Sequence, residues 1–182
     1  MEIKTENRGT GIDFPDAELK QSIEGMPVRI LVAEDDPSIR LMLEKTLSKE
    51  NYEVVSAGDG EEAWALLDDP DDPPRIAILD WMMPKTDGLE VCRRIKERER
   101  PFVFTIMLTA KTANEDIILA LRAGADEFLS KPFNLDVLRS RVAAGARIVR
   151  LENLLTMKNS ILEYYIEKVE KMAAERSREA SR

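Results

Sequence analysis

Acidic, hydroxyl and ammonium groups follow the short apolar segments of this sequence. Glu34 and Asp35 come directly after VRILVA, and Asp80 ends RIAILD. Thr109 lies near the end of FVFTIMLTA, and Lys131 lies directly after EFLS. Carboxylates that meet at one place repel each other, since two unit charges about 4 Å apart cost on the order of 4 kcal/mol at an effective dielectric constant of about 20. A cluster of these side chains therefore needs a bound cation or raised pKa values.

The donor atoms available to such a cation are oxygens. The sequence has no histidine, the commonest zinc ligand, and a single cysteine, Cys92. Carboxylate oxygens favour a hard ion, and Mg²⁺ is the best match because it binds one or two carboxylates together with water and phosphate oxygens. Beside this ion Asp80 can act as a nucleophile towards a phosphoryl group, whose oxygens Lys131 and Thr109 are suited to bind. The pattern predicts that Asp80 accepts a phosphoryl group.

The elements that must position these groups alternate between strand and helix. Apolar runs predict five strands, at residues 28–33, 52–57, 75–80, 102–110 and 127–130. Helical patterns separate them, so the chain is predicted to form βαβ units with a parallel sheet covered on both faces. In a sheet of this kind the ligand site lies outside the carboxyl ends of the strands. The candidate reactive groups therefore fall on one edge of the sheet.

Two of the predicted helices have recognisable caps or faces. Asp36 precedes Pro37, which is favoured at the first position of a helix, so Asp36 is the expected N-cap of the first helix. This leaves Glu34 and Asp35 as the acidic pair that faces the site. Helical spacing predicts that the apolar faces contain Ile39, Met42, Leu43 and Leu47 in the first helix and Ile117, Ile118 and Leu121 in the fourth.

Composition argues against several kinds of protein. The net charge of −8 and the pI of about 4.8 disfavour sequence-independent binding of nucleic acid, which needs a basic surface. A single cysteine rules out an internal disulfide. No apolar run approaches the roughly 18 residues of a membrane span, and the N-terminus lacks a secretory pattern. We therefore expect a cytoplasmic protein without nucleic-acid or membrane contacts.

Five stretches of the sequence resemble one known family. They are ILVAEDDPSIR, AGDGEEAW, ILDWMMPKTDGLEVCRRI, IMLTAKT and AGADEFLSKPF. In this combination they resemble the CheY-like receiver domain of bacterial two-component response regulators, and we place that domain at residues 27–146. The resemblance implies a doubly wound, flavodoxin-like α/β fold whose five-stranded parallel sheet has the order 2-1-3-4-5.

The resemblance also implies roles for the strand-end residues. Asp80 is the implied phosphorylation site, and the implied donor is a histidine kinase or a phosphotransfer protein. The implied Mg²⁺ ligands are Glu34, Asp35, Asp80 and the backbone carbonyl of Met82. Lys131 and Thr109 would hold the phosphoryl oxygens. The domain would then be a phosphoacceptor signalling domain that catalyses only its own phosphorylation and dephosphorylation.

In the same family the threonine forms a switch with an aromatic residue three positions before the lysine. Here these residues are Thr109 and Phe128. Phosphorylation is expected to draw Thr109 inward and to shift the population of conformations at the surface of the fourth helix, fifth strand and fifth helix. Packing of Phe128 in the core is the alternative. Met82 and Lys111 lie where family members tune the lifetime of the phosphate.

Segments of different character flank the predicted domain. Residues 1–26 are polar and predict a flexible extension, with at most a short helix capped by Asp16. Residues 147–182 continue the last helix, because glycine and proline are absent from Leu135 onwards except for Gly145. Apolar residues recur at heptad spacing, at Ile148, Leu151, Leu155, Leu162, Tyr165, Val169 and Met172, and Lys158 interrupts one layer. The pattern predicts a coiled coil and a homodimer through this helix, with a parallel pair as the preferred arrangement.

Several alternatives stay open from the sequence. The long helix could fold back over its own domain, join a bundle or bind another protein. About thirty helical residues after position 150 are too few to enclose a second core. The chain then acts by protein–protein interaction, or it is the sensory part of a longer protein such as a receiver-linked diguanylate cyclase or protein phosphatase.

Two further functions are disfavoured. A metal-dependent phosphatase with a strand-end aspartate nucleophile would need a second carboxylate at position 82, where methionine stands. A receiver-like scaffold that is never phosphorylated conflicts with the presence of every expected side chain.

Overall fold

Five strands form one parallel sheet within residues 26–98, 101–110 and 114–180, which the computed structural model describes. The strands are β1 (Arg29–Ala33), β2 (Glu53–Ala57), β3 (Ile76–Asp80), β4 (Phe104–Thr109) and β5 (Glu127–Ser130). Their order is β2-β1-β3-β4-β5 and all neighbouring pairs are parallel, which confirms the predicted doubly wound fold. Residues 1–25 of the predicted extension at 1–26, including the proposed cap Asp16, lie outside the described residues. Lys111 lies outside them as well.

Helices cover both faces of the sheet. They are α1 (Pro37–Ser48), α2 (Gly60–Leu67), α3 (Gly88–Glu97), α4 (Asn114–Ala123) and α5 (Leu135–Ala180). One apolar cluster lies between the sheet and α2, α3 and α4, and a second lies between the sheet and α1 and α5. All residues of β3 are buried, because this central strand has neighbours on both edges and helices on both faces. Asp80 therefore ends a strand that is rigidly packed.

Aspartate side chains cap the N-termini of three helices at the carboxyl edge of the sheet. Asp36 accepts hydrogen bonds from the backbone N–H groups of Ser38 and Ile39, at 2.7 and 3.1 Å, which confirms the predicted cap of α1. Asp59 and Asp87 cap α2 and α3. Each cap satisfies N–H groups that have no partner inside the helix. Asp36 thus has a structural role, apart from the two acidic residues before it.

Two of the predicted helix faces are partly wrong. Met42 in α1 is 38% exposed, since it lies at the edge of the stripe that meets the sheet. In α4, Ile118 and Leu121 are exposed, whereas Ala120 and Ala123 are buried. Alanines let the backbone of α4 approach the core closely, which leaves the larger apolar side chains on the solvent side.

The helix α5 is the longest element, with 46 residues. At a rise of 1.5 Å per residue it is about 69 Å long. Its first part is buried against the sheet through Leu138, Val142, Ala146 and Val149. Beyond these residues it continues as one helix, and the alternative in which it folds back over its own domain is not observed. Among the described residues, no helix combines the length and apolar character needed to cross a lipid bilayer.

Candidate functional site

The side chains of Glu34, Asp35 and Asp80 meet at the carboxyl edge of the sheet. Asp80 is the last residue of β3, and the other two acids directly follow β1, its neighbour in the sheet. One carboxylate oxygen of each residue lies within 4.8 Å of the other two. Glu34 and Asp80 are buried and Asp35 is exposed, so the cluster is accessible from one side. The structure therefore brings together the three acids that the sequence singled out.

Lys131 connects acids from two strands. Its ammonium nitrogen lies 2.9 and 2.8 Å from the two carboxylate oxygens of Glu34 and 3.0 Å from Oδ2 of Asp80. The residue directly follows β5, and its backbone N–H donates to the carbonyl of Thr109 at 2.7 Å. This backbone bond holds the lysine main chain beside the end of β4, from which the side chain reaches the ends of β1 and β3.

Burial and charge shift two pKa values at this cluster. Burial raises the pKa of Glu34 above its usual range, and the hydrogen bond from Lys131 opposes this shift. Burial lowers the pKa of Lys131, but hydrogen bonds to Glu34 and Asp80 outweigh it and leave that pKa raised. The lysine therefore stays an ammonium group at neutral pH.

The charge of the cluster fits a divalent cation. When all its groups are ionised, the three carboxylates and the ammonium leave two negative charges at this edge. Mg²⁺ prefers oxygen ligands and keeps several waters, which suits a donor set with one accessible carboxylate. Within the described residues, no second group of three acidic, histidine or cysteine side chains converges in this way.

The other residues predicted for the site lie in different environments. Thr109 ends β4 and is buried. The Met82 side chain, two residues beyond Asp80, is 63% exposed, and the role of its carbonyl as a metal ligand stays a prediction. Phe128 in β5 is half-buried and packs against the apolar cluster of α2, α3 and α4. Phe128 thus contacts the core, and its part in a switch stays a prediction.

Arg40 also belongs to the site, although the pattern of residues at the strand ends did not predict it. Its Nη1 donates to the carbonyl of Glu34 at 2.5 Å and lies 3.4 Å from the carbonyl of Asp35. Arg40 therefore holds the main chain of the two acids where it leaves β1. The sequence contained one signal for this role, since Arg40 lies one turn after the Asp36 cap. Side chains of a helix point back towards the helix N-terminus, so Arg40 could be expected to reach the end of β1.

Gly88 allows α3 to begin directly against the backbone of Asp80. A Cβ atom at position 88 would lie 2.1 Å from the carbonyl oxygen of Asp80, so only glycine fits without a shift. The N–H of Gly88 donates to the carbonyl of Trp81 at 3.0 Å. The main-chain position of Asp80 therefore depends on this glycine.

The loops after β2 and β3 are in contact with each other beside the acidic cluster. The ammonium of Lys85 lies 2.6 Å from Oδ2 of Asp59. Lys85 has a left-handed backbone with a φ of 64°, which is uncommon for a residue other than glycine. A Cβ atom at Gly60 would lie 1.9 Å from the carbonyl oxygen of Thr86, so the loops also touch through their backbones.

Known proteins are similar to this chain in sequence and in fold. Residues 30–143 match the family model of the response regulator receiver domain. The chain is 43% identical to the transcriptional regulatory protein TcrA of Mycobacterium tuberculosis over 120 residues, which are 66% of this chain and 46% of TcrA. It is 40% identical to the alkaline phosphatase synthesis transcriptional regulatory protein PhoP of Bacillus subtilis over 122 residues, 67% of this chain and 50% of PhoP. The solved signal receiver domain of a putative LuxO repressor protein from Vibrio parahaemolyticus has a TM-score of 0.66 and 27% identity, and the match covers 71% of this chain and 98% of that one.

The sheet order, the acidic cluster and the lysine at the carboxyl edge define a two-component signalling domain. The chain belongs to the response regulator receiver domain family. Receiver domains interact with histidine kinases and bind Mg²⁺ at an acidic pocket of this kind. The chain spans about half the length of the curated relatives described above.

Proposed function

We propose that this receiver accepts a phosphoryl group on Asp80 from the phosphohistidine of a histidine kinase or phosphotransfer protein. Mg²⁺ would be bound by Glu34, Asp35 and Asp80, with the carbonyl of Met82 as a fourth protein ligand. The observation that carries the proposal is the convergence of three carboxylates from two strands with the ammonium of Lys131. The nucleophile Asp80, the acidic site for a metal ion and the ammonium group that can bind phosphate therefore lie close together.

The transfer is a substitution at phosphorus. An oxygen of Asp80 forms a bond to phosphorus, the bond from phosphorus to the histidine nitrogen breaks, and its electron pair stays on that nitrogen. Before the transfer, the ammonium of Lys131 contacts the carboxylate of Asp80 directly. A small movement would let it bind a phosphoryl oxygen instead. When bound, Mg²⁺ neutralises charge on the transferred group. Burial of Asp80 strengthens these interactions, because they are less screened than in water.

The response to phosphorylation is proposed to begin at Thr109. Its hydroxyl would hydrogen-bond a phosphoryl oxygen, and the half-buried Phe128 would repack as Thr109 moves. Phe128 lies on β5, a strand that pairs with β4 and contacts α4. The exposed apolar residues Ile118 and Leu121 of α4 belong to the surface that would change.

The output is proposed to pass through α5 to a second copy of the chain. The exposed apolar side chains beyond the sheet support a homodimer, and the net charge of −8 favours output by protein contact over direct contact with nucleic acid. The curated relatives are about twice as long as the matched segment. This length leaves room for a second kind of output, in which the receiver controls a further domain of a longer protein. A diguanylate cyclase or a protein phosphatase is an example of such a domain.

Acetyl phosphate tests the phosphoacceptor directly. Incubation of the full chain with acetyl phosphate and Mg²⁺ should add the mass of one phosphoryl group, and the adduct should be labile in base. Asp80→Asn and removal of Mg²⁺ with a chelator should each abolish it. The matched control is Asp136→Asn, an exposed aspartate of α5 that should be modified like the native chain. An equal adduct on Asp80→Asn, or no adduct on the native chain, would refute the proposal.

A further inference from the structure

An apolar stripe runs along α5 on the part that has left the sheet. Six large apolar side chains of the stripe are exposed, by fractions that range from 38% for Ile148 to 56% for Val169. They are Ile148, Leu151, Leu155, Leu162, Val169 and Met172. With Lys158 and Tyr165 these residues alternate in steps of three and four between residues 148 and 172, which is the spacing of a coiled-coil seam. We call this stripe the seam. A surface of this extent predicts a bound partner.

The seam lies on the side of α5 that faces away from its own domain. The residues of α5 that meet the sheet are Leu138, Val142, Ala146 and Val149, and all four are buried. At about 100° per residue, the centre of the seam is rotated by about 180° from the centre of this buried stripe. The receiver therefore cannot cover the seam, and it does not obstruct a second helix from lying there.

We propose that the seam binds the seam of a second copy, with the two α5 helices parallel and in register and the two receivers on the outside of the pair. This inference deepens the homodimer proposed above and rests on it. A heptad seam is self-complementary, because each knob on one helix meets a hole formed by the same pattern on the other. No separate partner surface is required.

Lys158 favours the parallel arrangement in register. Of the eight layers of the seam, this arrangement places both Lys158 side chains in one layer and leaves the other seven with apolar residues from both copies. An antiparallel pair would place each Lys158 against an apolar side chain, opposite Leu162 of the second copy, so two layers would be disrupted. A single charged layer specifies register at some cost in stability. The long stem of lysine allows both ammonium groups to reach water from that layer.

Charges beside the seam also fit a parallel pair. Arg147 and Glu152 flank the first layers on opposite sides of the seam. In a parallel pair in register, Arg147 of one copy faces Glu152 of the second copy across the interface. Glu152 also lies within electrostatic reach of Arg75 in its own chain. The apolar side chains Leu154 and Ile161 occupy the same flanking rows and widen the contact.

Disulfide capture in the full chain measures the orientation. Leu155→Cys places a thiol in the seam, and it should form a disulfide-linked dimer under mild oxidation because the two positions 155 face each other. The native Cys92 does not interfere, since it is 1% exposed with a pKa of about 12. Glu167→Cys, on the opposite side of the helix, is the matched control and should stay largely uncrosslinked.

The antiparallel alternative gives a different product. It would separate the two positions 155 by about ten residues, or about 15 Å along the helix. A mixture of Leu155→Cys and Tyr165→Cys chains would then form the mixed disulfide, and Leu155→Cys alone would not crosslink. That result, or a monomer by sedimentation at every concentration, overturns the inference. Acetyl phosphate labelling of the same samples reports on Asp80 separately, so failure of pairing is distinguished from failure of the phosphoacceptor.

A second measurement tests the charged layer. Lys158→Leu should lower the dissociation constant of the dimer at least tenfold, because it replaces two like charges with an apolar layer. Lys171→Leu makes the same chemical change on the side of α5 away from the seam and should leave the dissociation constant within about twofold of the native value. An unchanged or weaker dimer with Lys158→Leu would show that residue 158 does not lie in the interface.

Discussion

The ammonium nitrogen of Lys131 lies 3.0 Å from Oδ2 of Asp80, across the end of the intervening strand β4. The same nitrogen binds both carboxylate oxygens of Glu34. One cation from β5 therefore neutralises part of the charge that two buried acids bring to the ends of β1 and β3. Without Mg²⁺ this lysine is the main counter-charge among the described residues of the site.

Lys131→Met is expected to lower the free energy of unfolding in Mg²⁺-free buffer by about 2 kcal/mol, because it leaves two buried carboxylates without their cation. Breaking a fully buried ion pair costs more, but Lys131 keeps some contact with water. Urea denaturation monitored by circular dichroism measures the difference. Asp80→Asn is the matched change, and it should not destabilise the chain, since it removes a like charge and keeps the pair of Lys131 with Glu34. Equal stability of Lys131→Met and the native chain would contradict this account.

Gly88→Ala should reduce phosphorylation of Asp80 and lower the free energy of unfolding by about 1 to 3 kcal/mol, the usual range for overpacking. The added Cβ would lie 2.1 Å from the Asp80 carbonyl oxygen, so the phosphoacceptor strand or the start of α3 must move. The control is Gly58→Ala, whose Cβ would meet its nearest neighbour, Arg40, at an ordinary 3.5 Å. Rates of acetyl phosphate labelling and urea midpoints should separate the two variants. Similar behaviour of both would show that the site tolerates the movement.

Arg40→Ala should weaken Mg²⁺ binding by roughly three- to tenfold, the equivalent of one lost hydrogen bond. The side chain donates to the carbonyl of Glu34, so its removal frees the main chain that carries two of the acids. Titration calorimetry with Mg²⁺ measures the effect. Arg40→Lys keeps a donor and should restore part of the affinity. If Arg40→Ala lowers stability but leaves Mg²⁺ affinity unchanged, the residue has only a structural role.

Cys92 should be unreactive in the folded chain. Burial raises its thiol pKa from 9.0 to about 12, so few molecules carry the thiolate at pH 8. Iodoacetamide should label the native chain slowly and the chain in concentrated urea quickly, as read by intact mass. Rapid labelling of the folded chain would show that α3 opens easily.

The same thiol predicts a pH dependence of stability. Between pH 9 and about 12 the unfolded chain loses the thiol proton while the folded chain keeps it, so the Cys92 contribution to stability falls as the pH rises through this window. Below that window Cys92 contributes no slope. Cys92→Ala should therefore show a smaller loss of stability than the native chain between pH 9 and 11, measured by urea denaturation. Parallel slopes for the two chains would contradict the shifted pKa.

Local features of the sequence predicted some of the structure directly. Asp36 before Pro37 predicted a helix cap, and the cap forms because it involves only neighbours along the chain. Asp80 and Lys131 were predicted to lie at one edge because each follows an apolar strand segment and parallel strands end together. These predictions needed periodicity and short-range chemistry only.

Contacts between distant segments were not predictable in the same way. The apolar spacing of α4 favoured Ile118 and Leu121 as buried, but the space beside the sheet accommodates Ala120 and Ala123 instead. The contact of Gly88 with the Asp80 carbonyl depends on the angle at which α3 leaves the sheet. The hydrogen bond from Arg40 depends on the path of the chain between β1 and α1.

The amino-acid sequence by itself determined the alternation of strands and helices, the types of side chain at each strand end and the heptad spacing of α5. These properties depend on residue order, because hydrophobic period and side-chain chemistry are local. Only the tertiary structure decided that Lys131 reaches both Glu34 and Asp80, and that the seam of α5 faces away from the sheet. Both depend on how elements that are far apart in the chain pack together, and packing is decided by the shapes and distances of all the neighbours at once.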